Sequence, residues 1–263
     1  MFRGAWLEMS KSPFQIIPVI DLLDGKVVHA VGGRRAYYQP IQSMLHASSE
    51  PIPMARALRA SRGFQSLYFA DLDAIAGSPP RLDIYRELIA AQIHLWIDAG
   101  IRDPGSVAPL LELDPVFTTI VAGLESLAGP RALSKVVRIA GTDRVVFSLD
   151  LFEERPRLAQ AADWGTENSL ELAHTAIDCG VQNLLILDLA RVGTGRGLGS
   201  LDLINRIRDA RPSVRLTAGG GISSIDDVLE LRAAGASGVL IGSALHDGRI
   251  GSRDLELIRT SGR

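Results

Sequence analysis

Segments from the first half of this chain recur in the second half, in the same order and about 120 residues later. An Ile-Asp-Leu at Asp21 returns as Leu-Asp-Leu at Asp150. ADLDAIAG (Ala70–Gly77) is echoed by LDLARVGTG (Leu187–Gly195), and DAGIRDPGSVAPLLEL (Asp98–Leu113) by GGGISSIDDVLELRAA (Gly219–Ala234). VAGLES (Val121–Ser126) is echoed by LIGSAL (Leu240–Leu245). A repeat of that length, equal to four strand–helix units, restricts the fold to two like halves.

Within the repeat, apolar runs alternate with helical periodicity. Strands are expected at Ile16–Leu22, Ser66–Asp71, His94–Ile97, Thr118–Ala122, Arg144–Leu149, Asn183–Leu187, the run ending at Gly219, and Gly238–Ile241. Helices are expected at Met54–Arg62, Leu82–Gln92, Ser106–Leu113, Arg131–Ala140, Ser169–Cys179, Leu201–Ala210, the stretch after Gly221, and Asp254–Arg259. Continuous apolar strands belong in a parallel sheet covered on both faces. Eight such units in 263 residues close most simply as an α/β TIM barrel, (β/α)8, built from two half-barrels. An open doubly wound sheet is the alternative, but no G-x-G-x-x-G turn follows the first strand. The expected organisation is a loose extension over residues 1–15, pinned by Trp6, and one barrel domain over 16–263.

Charge and cysteine content narrow the function. Lys and Arg total 28 against 30 Asp and Glu, which gives no electrostatic case for nucleic acid or an anionic membrane as partner. The single cysteine, Cys179, excludes an internal disulfide and a cysteine metal site, and reads as a small core residue. No apolar run approaches membrane-spanning length, so a cytoplasmic location is expected. His29, His46, His94, His174 and His246 lack metal-ligand spacing; no metal and no cofactor are expected. His174 reads as a surface residue; His246, near the end of the last strand, reads as a surface residue with contact to a phosphate there as the alternative.

The chemistry-bearing residues sit at strand ends. Thr217–Ala244 holds two strands finishing in Gly219, Gly220, Gly221 and in Gly242, Ser243. After the last two strands of a barrel, such turns offer N–H groups to a phosphate; the bland reading is two tight turns that need glycine. Asp21 and Asp150 end facing strands and suit acid and base roles, with capping or pairing to a cation such as Lys26 as the alternative. Asp188 ends another strand before a loop with Gly193 and Thr194, whose Arg191 and Arg196 could meet an anion. Asp24-Gly25 signals a hairpin. Gly32–Ser43, with Arg34, Arg35, Tyr37 and Tyr38, reads as a mobile functional loop.

These motifs resemble the HisA/HisF family of histidine-biosynthesis barrels from Ile16 to about Arg249. PVIDLLDGKVV is similar to its first strand, VVFSLD to its fifth, LDLARVGTGRG to its sixth strand and loop, and AGGGISSIDDV with VLIGSAL to its C-terminal phosphate site. The resemblance implies an Amadori-type isomerase of an aminoaldose phosphate, with Asp21 and Asp150 as acid and base. The chain departs from the family in three ways. At the N-terminal phosphate turn it has Asp98-Ala99-Gly100 and Gly123-Leu124-Glu125. Leu187 stands where HisA has a helpful threonine, and the loop Gly32–Ser43 has no counterpart. Carboxylates repel a phosphate, so a paralogue is expected that takes a small metabolite with a single phosphate. A polar or cationic group would then face Asp98 and Glu125, or Arg34 and Arg35 would hold a second anion. Alternatives are a HisF-like cyclase/lyase, for which no protein partner is evident, an enzyme making a methanopterin-type cofactor, and a non-catalytic phosphate-metabolite binding protein.

Overall fold

The computed structural model describes residues 14–260. The Trp6 anchor falls outside the described residues. In chain order the elements are β1 (Gln15–Leu23), β2 (Lys26–His29), β3 (Gln39–Pro40), α1 (Pro51–Arg62), β4 (Ser66–Asp71), α2 (Leu72–Ala76), α3 (Leu82–Ala90), β5 (His94–Asp98) and α4 (Ala108–Leu111). There follow β6 (Thr118–Gly123), α5 (Pro130–Ala140), β7 (Val145–Phe152), β8 (Arg155–Pro156), α6 (Ser169–Asp178), β9 (Asn183–Asp188), α7 (Leu201–Ala210), β10 (Arg215–Gly219), α8 (Ile225–Ala233), β11 (Gly238–Ile241), α9 (Ser243–His246) and α10 (Ser252–Thr260). Eight strands pair in parallel in the order β1-β4-β5-β6-β7-β9-β10-β11, and β11 pairs back onto β1, so the barrel is closed.

A closed barrel sorts residues by parity, because side chains alternate across each strand. Ile17, Tyr68, Val121, Val146, Leu185 and Leu240 pack inside the barrel, with Val19, Trp96 and Leu187 against them. The opposite parity, including Ile20, Phe69, Ile97, Ile120, Phe147 and Ile186, packs under the helices. Both faces are apolar, so the strands read in the sequence as unbroken runs.

Excursions at the C-terminal ends of the strands depart from the simple alternation. Asp24 and Gly25, at φ 50° and 74°, make the tight turn of the β1–β2 hairpin. Gly32–Ser43 has more order than a mobile loop, since Arg35–Tyr37 forms a 3-10 turn and β3 pairs with β2. The helix expected over Ser106–Leu113 shrinks to Ala108–Leu111, where Asp103 and Ser106 exchange local hydrogen bonds that compete with helix. The short helices α2 and α9 have too few turns to show periodicity.

Parity also separates the strand-end aspartates. Asp71 follows inward Ala70 and therefore points outward, fully buried. Its carboxylate accepts from Ala74 N at 3.1 Å, Arg81 N at 3.0 Å and the Tyr85 hydroxyl at 2.5 Å. Asp71→Ala strands three buried donors and should cost at least about 3 kcal/mol, whereas Tyr85→Phe should cost about 1–2 kcal/mol. Urea unfolding of both variants checks this; equal losses would mean that the carboxylate does not organise the turn.

Candidate active site

An open cavity of about 1020 Å³, counting the solvent at its entrance, occupies the C-terminal mouth of the barrel. Asp21, Asp98 and Asp150 converge on it because each occupies an inward parity position at the end of its strand. Small neighbours make the room. Ala70 lies between Asp21 and Asp98 in the strand register. A Cβ on Gly123 would stand 3.0 Å from Asp150 Oδ2 and 3.9 Å from Asp98 Oδ2. Glycine at 123 thus lets two carboxylates approach over one strand end.

Asp98 and Asp150 are each held by two hydrogen bonds. Ser148 Oγ donates to Asp150 Oδ1 at 2.5 Å and Glu125 N to Asp150 Oδ2 at 3.1 Å. The Tyr68 hydroxyl donates to Asp98 Oδ2 at 2.9 Å and Gly100 N to Asp98 Oδ1 at 3.2 Å. Burial lifts Asp21 to about 7, with Arg35 opposing and Asp98 adding to the rise. Burial, then Glu125, lifts Asp98 to about 6 against the Tyr68 and Gly100 hydrogen bonds. Asp150 is pushed well above the carboxylate range by burial, then by Glu125 and Asp98. Both facing aspartates thus have raised proton affinity, and a carboxyl near 7, as at Asp21, can exchange a proton at neutral pH.

Glu125 borders the same side of the mouth, and two guanidiniums bracket it. Arg35 pairs with Oε1, and Arg157 Nε lies 3.1 Å from Oε2. The acidic patch expected at Asp98 and Glu125 is therefore a mixed-charge cluster. Arg34 is exposed and does not border the cavity.

Across the mouth, Gly220, Gly221, Gly242 and Ser243 line the cavity. Gly219 does not; a Cβ there would press on Leu187 Cδ1 at 3.0 Å and Leu240 Cβ at 3.1 Å. Gly220 and Gly221, at φ 95° and 83°, would each drive a Cβ to 2.3 Å from a carbonyl, of Asp188 and Gly197 respectively. Each of the three glycines thus has a steric reason of its own.

Gly193 lines the cavity, whereas Asp188 and Thr194 do not. Asp188 follows inward Leu187 and points outward, where it accepts from Ala190 N at 3.1 Å and Arg191 Nε at 3.1 Å. Thr194 Oγ1 donates to the Arg191 carbonyl at 2.8 Å. Arg191 also pairs with Glu154, so it braces the loop, and Arg196 is exposed. Lys26 pairs with Glu50 and with neither facing aspartate.

Other expectations need correction. His246 is buried and lines the cavity, because a loop from the other end of the chain covers it. His174 is half-buried, with Nε2 shut from solvent. Cys179 is half-buried at the end of α6, with its thiol toward the Pro130 carbonyl at 3.4 Å. Tyr68, Ser148, Arg157 and His246 are site residues that the sequence reading missed. For Ser148 a signal existed, since two residues before an inward aspartate is again an inward position. Among the described residues no cluster suits a metal, and no helix is long and apolar enough to cross a membrane.

A sequence profile described as histidine biosynthesis protein matches residues 15–251. Among similar proteins, a 1-(5-phosphoribosyl)-5-((5-phosphoribosylamino)methylideneamino) imidazole-4-carboxamide isomerase of Leuconostoc mesenteroides is 28% identical over 238 residues, 89% of this chain and 95% of the relative. A protein of the same name from Thermus thermophilus is 30% identical over 241 residues, 90% of this chain and 96% of the relative. An uncharacterized protein of Methanocaldococcus jannaschii is 30% identical over 247 residues, 93% of this chain and 97% of the relative.

The raised carboxylates predict a pH dependence of stability. A folded pKa above the unfolded value means that the folded state binds more protons, so stability falls as pH rises from about 4 through about 7, and Asp150, raised in the same direction, adds to the fall. Asp98→Asn and Asp21→Asn should each be about 1–2 kcal/mol more stable than the parent at pH 8, a gap that closes toward pH 4. Urea midpoints across that range test the sign; a gap that widens on acidification would refute it.

Proposed function

The chain belongs to the histidine biosynthesis protein family, and from that premise we propose that it is an aldose–ketose isomerase of a phosphorylated sugar-amine. The observation that carries this reading is the pair Asp21 and Asp150, inward on strands β1 and β7 across the mouth, both with pKa values raised by burial. Asp150, its proton affinity raised by burial, gives a proton to the ring oxygen as the C1–O bond breaks and the nitrogen lone pair forms C1=N. Asp21 takes the C2 proton, the C–H electrons become the C1=C2 bond of an enaminol, and the C1=N pair returns to nitrogen. Asp21 then delivers that proton to C1, which becomes CH2, while the C2 hydroxyl loses its proton to Asp150 and closes as the ketone. No oxidant is consumed, and a proton returns to Asp150. General acid–base steps of this kind are worth about 10²–10⁴-fold each.

The phosphate belongs at Gly220, Gly221, Gly242 and Ser243, where backbone without side chains borders the cavity. Gly242 borders the cavity without a side chain, and an added Cβ would meet only Val19, at 3.7 Å. The equivalent turn in the other half carries the Asp98 side chain, and Glu125 stands beyond it between Arg35 and Arg157. That half suits a polar group that both donates and accepts. The expected substrate thus carries one phosphate, unlike the doubly phosphoribosylated compound in the relatives' names. A binding protein for the same anion would gain nothing from three buried carboxylates in its mouth.

Asp21→Asn and Asp150→Asn should each lower kcat by about 10³-fold while changing phosphate affinity less than about threefold, since neither side chain belongs to the glycine turns. Steady-state kinetics and phosphate titration separate the two effects; an undiminished rate would end the acid–base assignment. Thermal shifts with singly and doubly phosphorylated sugar-amines test the half-site. Greater stabilisation is expected from the single phosphate, and a clear preference for the double one refutes that part alone.

A further inference from the structure

The loop Ile41–Ser49 lies beside the cavity and is attached in an unusual way. Both its ends hang on one residue of β2: Ile41 N donates to the Val27 carbonyl at 2.9 Å, and Val27 N donates to the Ser49 carbonyl at 2.7 Å. Between those points it is a strap, and its tip is bonded to His246. Met44 N donates to the His246 carbonyl at 2.8 Å, and Ser43 Oγ lies 2.9 Å from His246 Nδ1. Ser43 Oγ also receives the Leu45 N–H at 3.1 Å, which sets the hydroxyl for that contact. The Met44 thioether rests over Gly248, where a Cβ would lie 3.0 Å from the sulfur.

His246 reaches in two other directions. It ends α9, the single turn that begins at Ser243 beside Gly242, so the proposed anion turn and the imidazole share one rigid unit. The ring also hydrogen-bonds the backbone of Val19, on the strand that carries Asp21 two residues later. With Nδ1 facing the Ser43 hydroxyl and a ring N–H directed to a carbonyl, the neutral imidazole satisfies both nitrogens. A surface histidine has no need of such a set of partners.

We propose that His246 is a positioning residue that transmits occupancy of the Gly242–Ser243 turn to the strap Ile41–Ser49, so that an anion bound there orders the cover of the mouth. This rests on the phosphate reading above. An anion held by the first residues of α9 immobilises that turn, and the turn's last residue holds the strap. Ile41 and His246 both border the cavity, so an ordered strap narrows the entrance on the phosphate side.

Hydrogen exchange of the full chain, with and without saturating inorganic phosphate, tests the coupling. In the parent, phosphate should slow exchange at Gly242–Leu245 and also at Met44 and Leu45, the latter by roughly tenfold, the scale of one hydrogen bond gained. His246→Gln keeps an acceptor and a donor on the side chain and should retain the strap response. His246→Leu fills the space without either and should lose it, as should Ser43→Ala. In both losing variants the phosphate response at the turn itself should persist. Strap protection that survives His246→Leu, or a parent strap that ignores phosphate bound at the turn, overturns the proposal and leaves the phosphate reading standing. No response at the turn in the parent overturns both.

Discussion

Closure of β1 onto β11 is the constraint on which the rest depends. An open sheet has edges and two equivalent faces, whereas a closed one has an inside, and every strand residue must take a side. Parity along each strand then decides which strand-end groups meet. Asp21, Asp98 and Asp150 fall on inward positions and share one cavity, while Asp71 and Asp188 fall one residue off and serve as outward caps. A one-residue slip in any of these strands would exchange a site carboxylate for a capping one.

Burial of three carboxylates around one mouth is costly unless they are protonated or well bonded. The structure uses both routes. Tyr68, Ser148 and backbone N–H groups bond the oxygens of Asp98 and Asp150, and the remaining penalty, at Asp21 as well, appears as raised proton affinity. The arginines do not simply neutralise the set. Arg35 and Arg157 spend their direct contacts on Glu125, so Asp150 lies next to an anion already engaged and keeps its high affinity for a proton. The arrangement separates the charge-pairing on Glu125 from the raised proton affinity of the aspartates.

Much of this was legible in the residues. The repeat and the apolar runs specify the barrel, and the facing aspartates follow from strand order once the fold is taken as closed. Asp188 misled because a strand buried on both faces hides its parity: Leu-Leu-Ile-Leu-Asp gives no polar alternation to show which side the carboxylate takes. Arg157 and His246 were out of reach for a different reason. Arg157 reaches Glu125 only because β7 runs on and turns back as β8, and His246 is covered by a loop some 200 residues earlier in the chain. Contacts of that sequence separation leave no local pattern.

The triple glycine has packing reasons that are separate from any anion. Gly219 is small because Leu187 and Leu240 close over it, and Gly220 and Gly221 because carbonyls of the β9–α7 loop press against their backbone. Close packing alone would account for the run. What packing does not account for is Gly242, where an added Cβ would meet only Val19, at an ordinary 3.7 Å. Its missing side chain leaves the start of α9 bare against the cavity. The corresponding residue of the other half, Gly123, is small for another purpose, to seat Asp98 beside Asp150. Equivalent glycines in the two halves thus do different work, one leaving bare backbone at the cavity wall and the other bringing carboxylates together. That difference, more than the count of glycines, gives the mouth its direction.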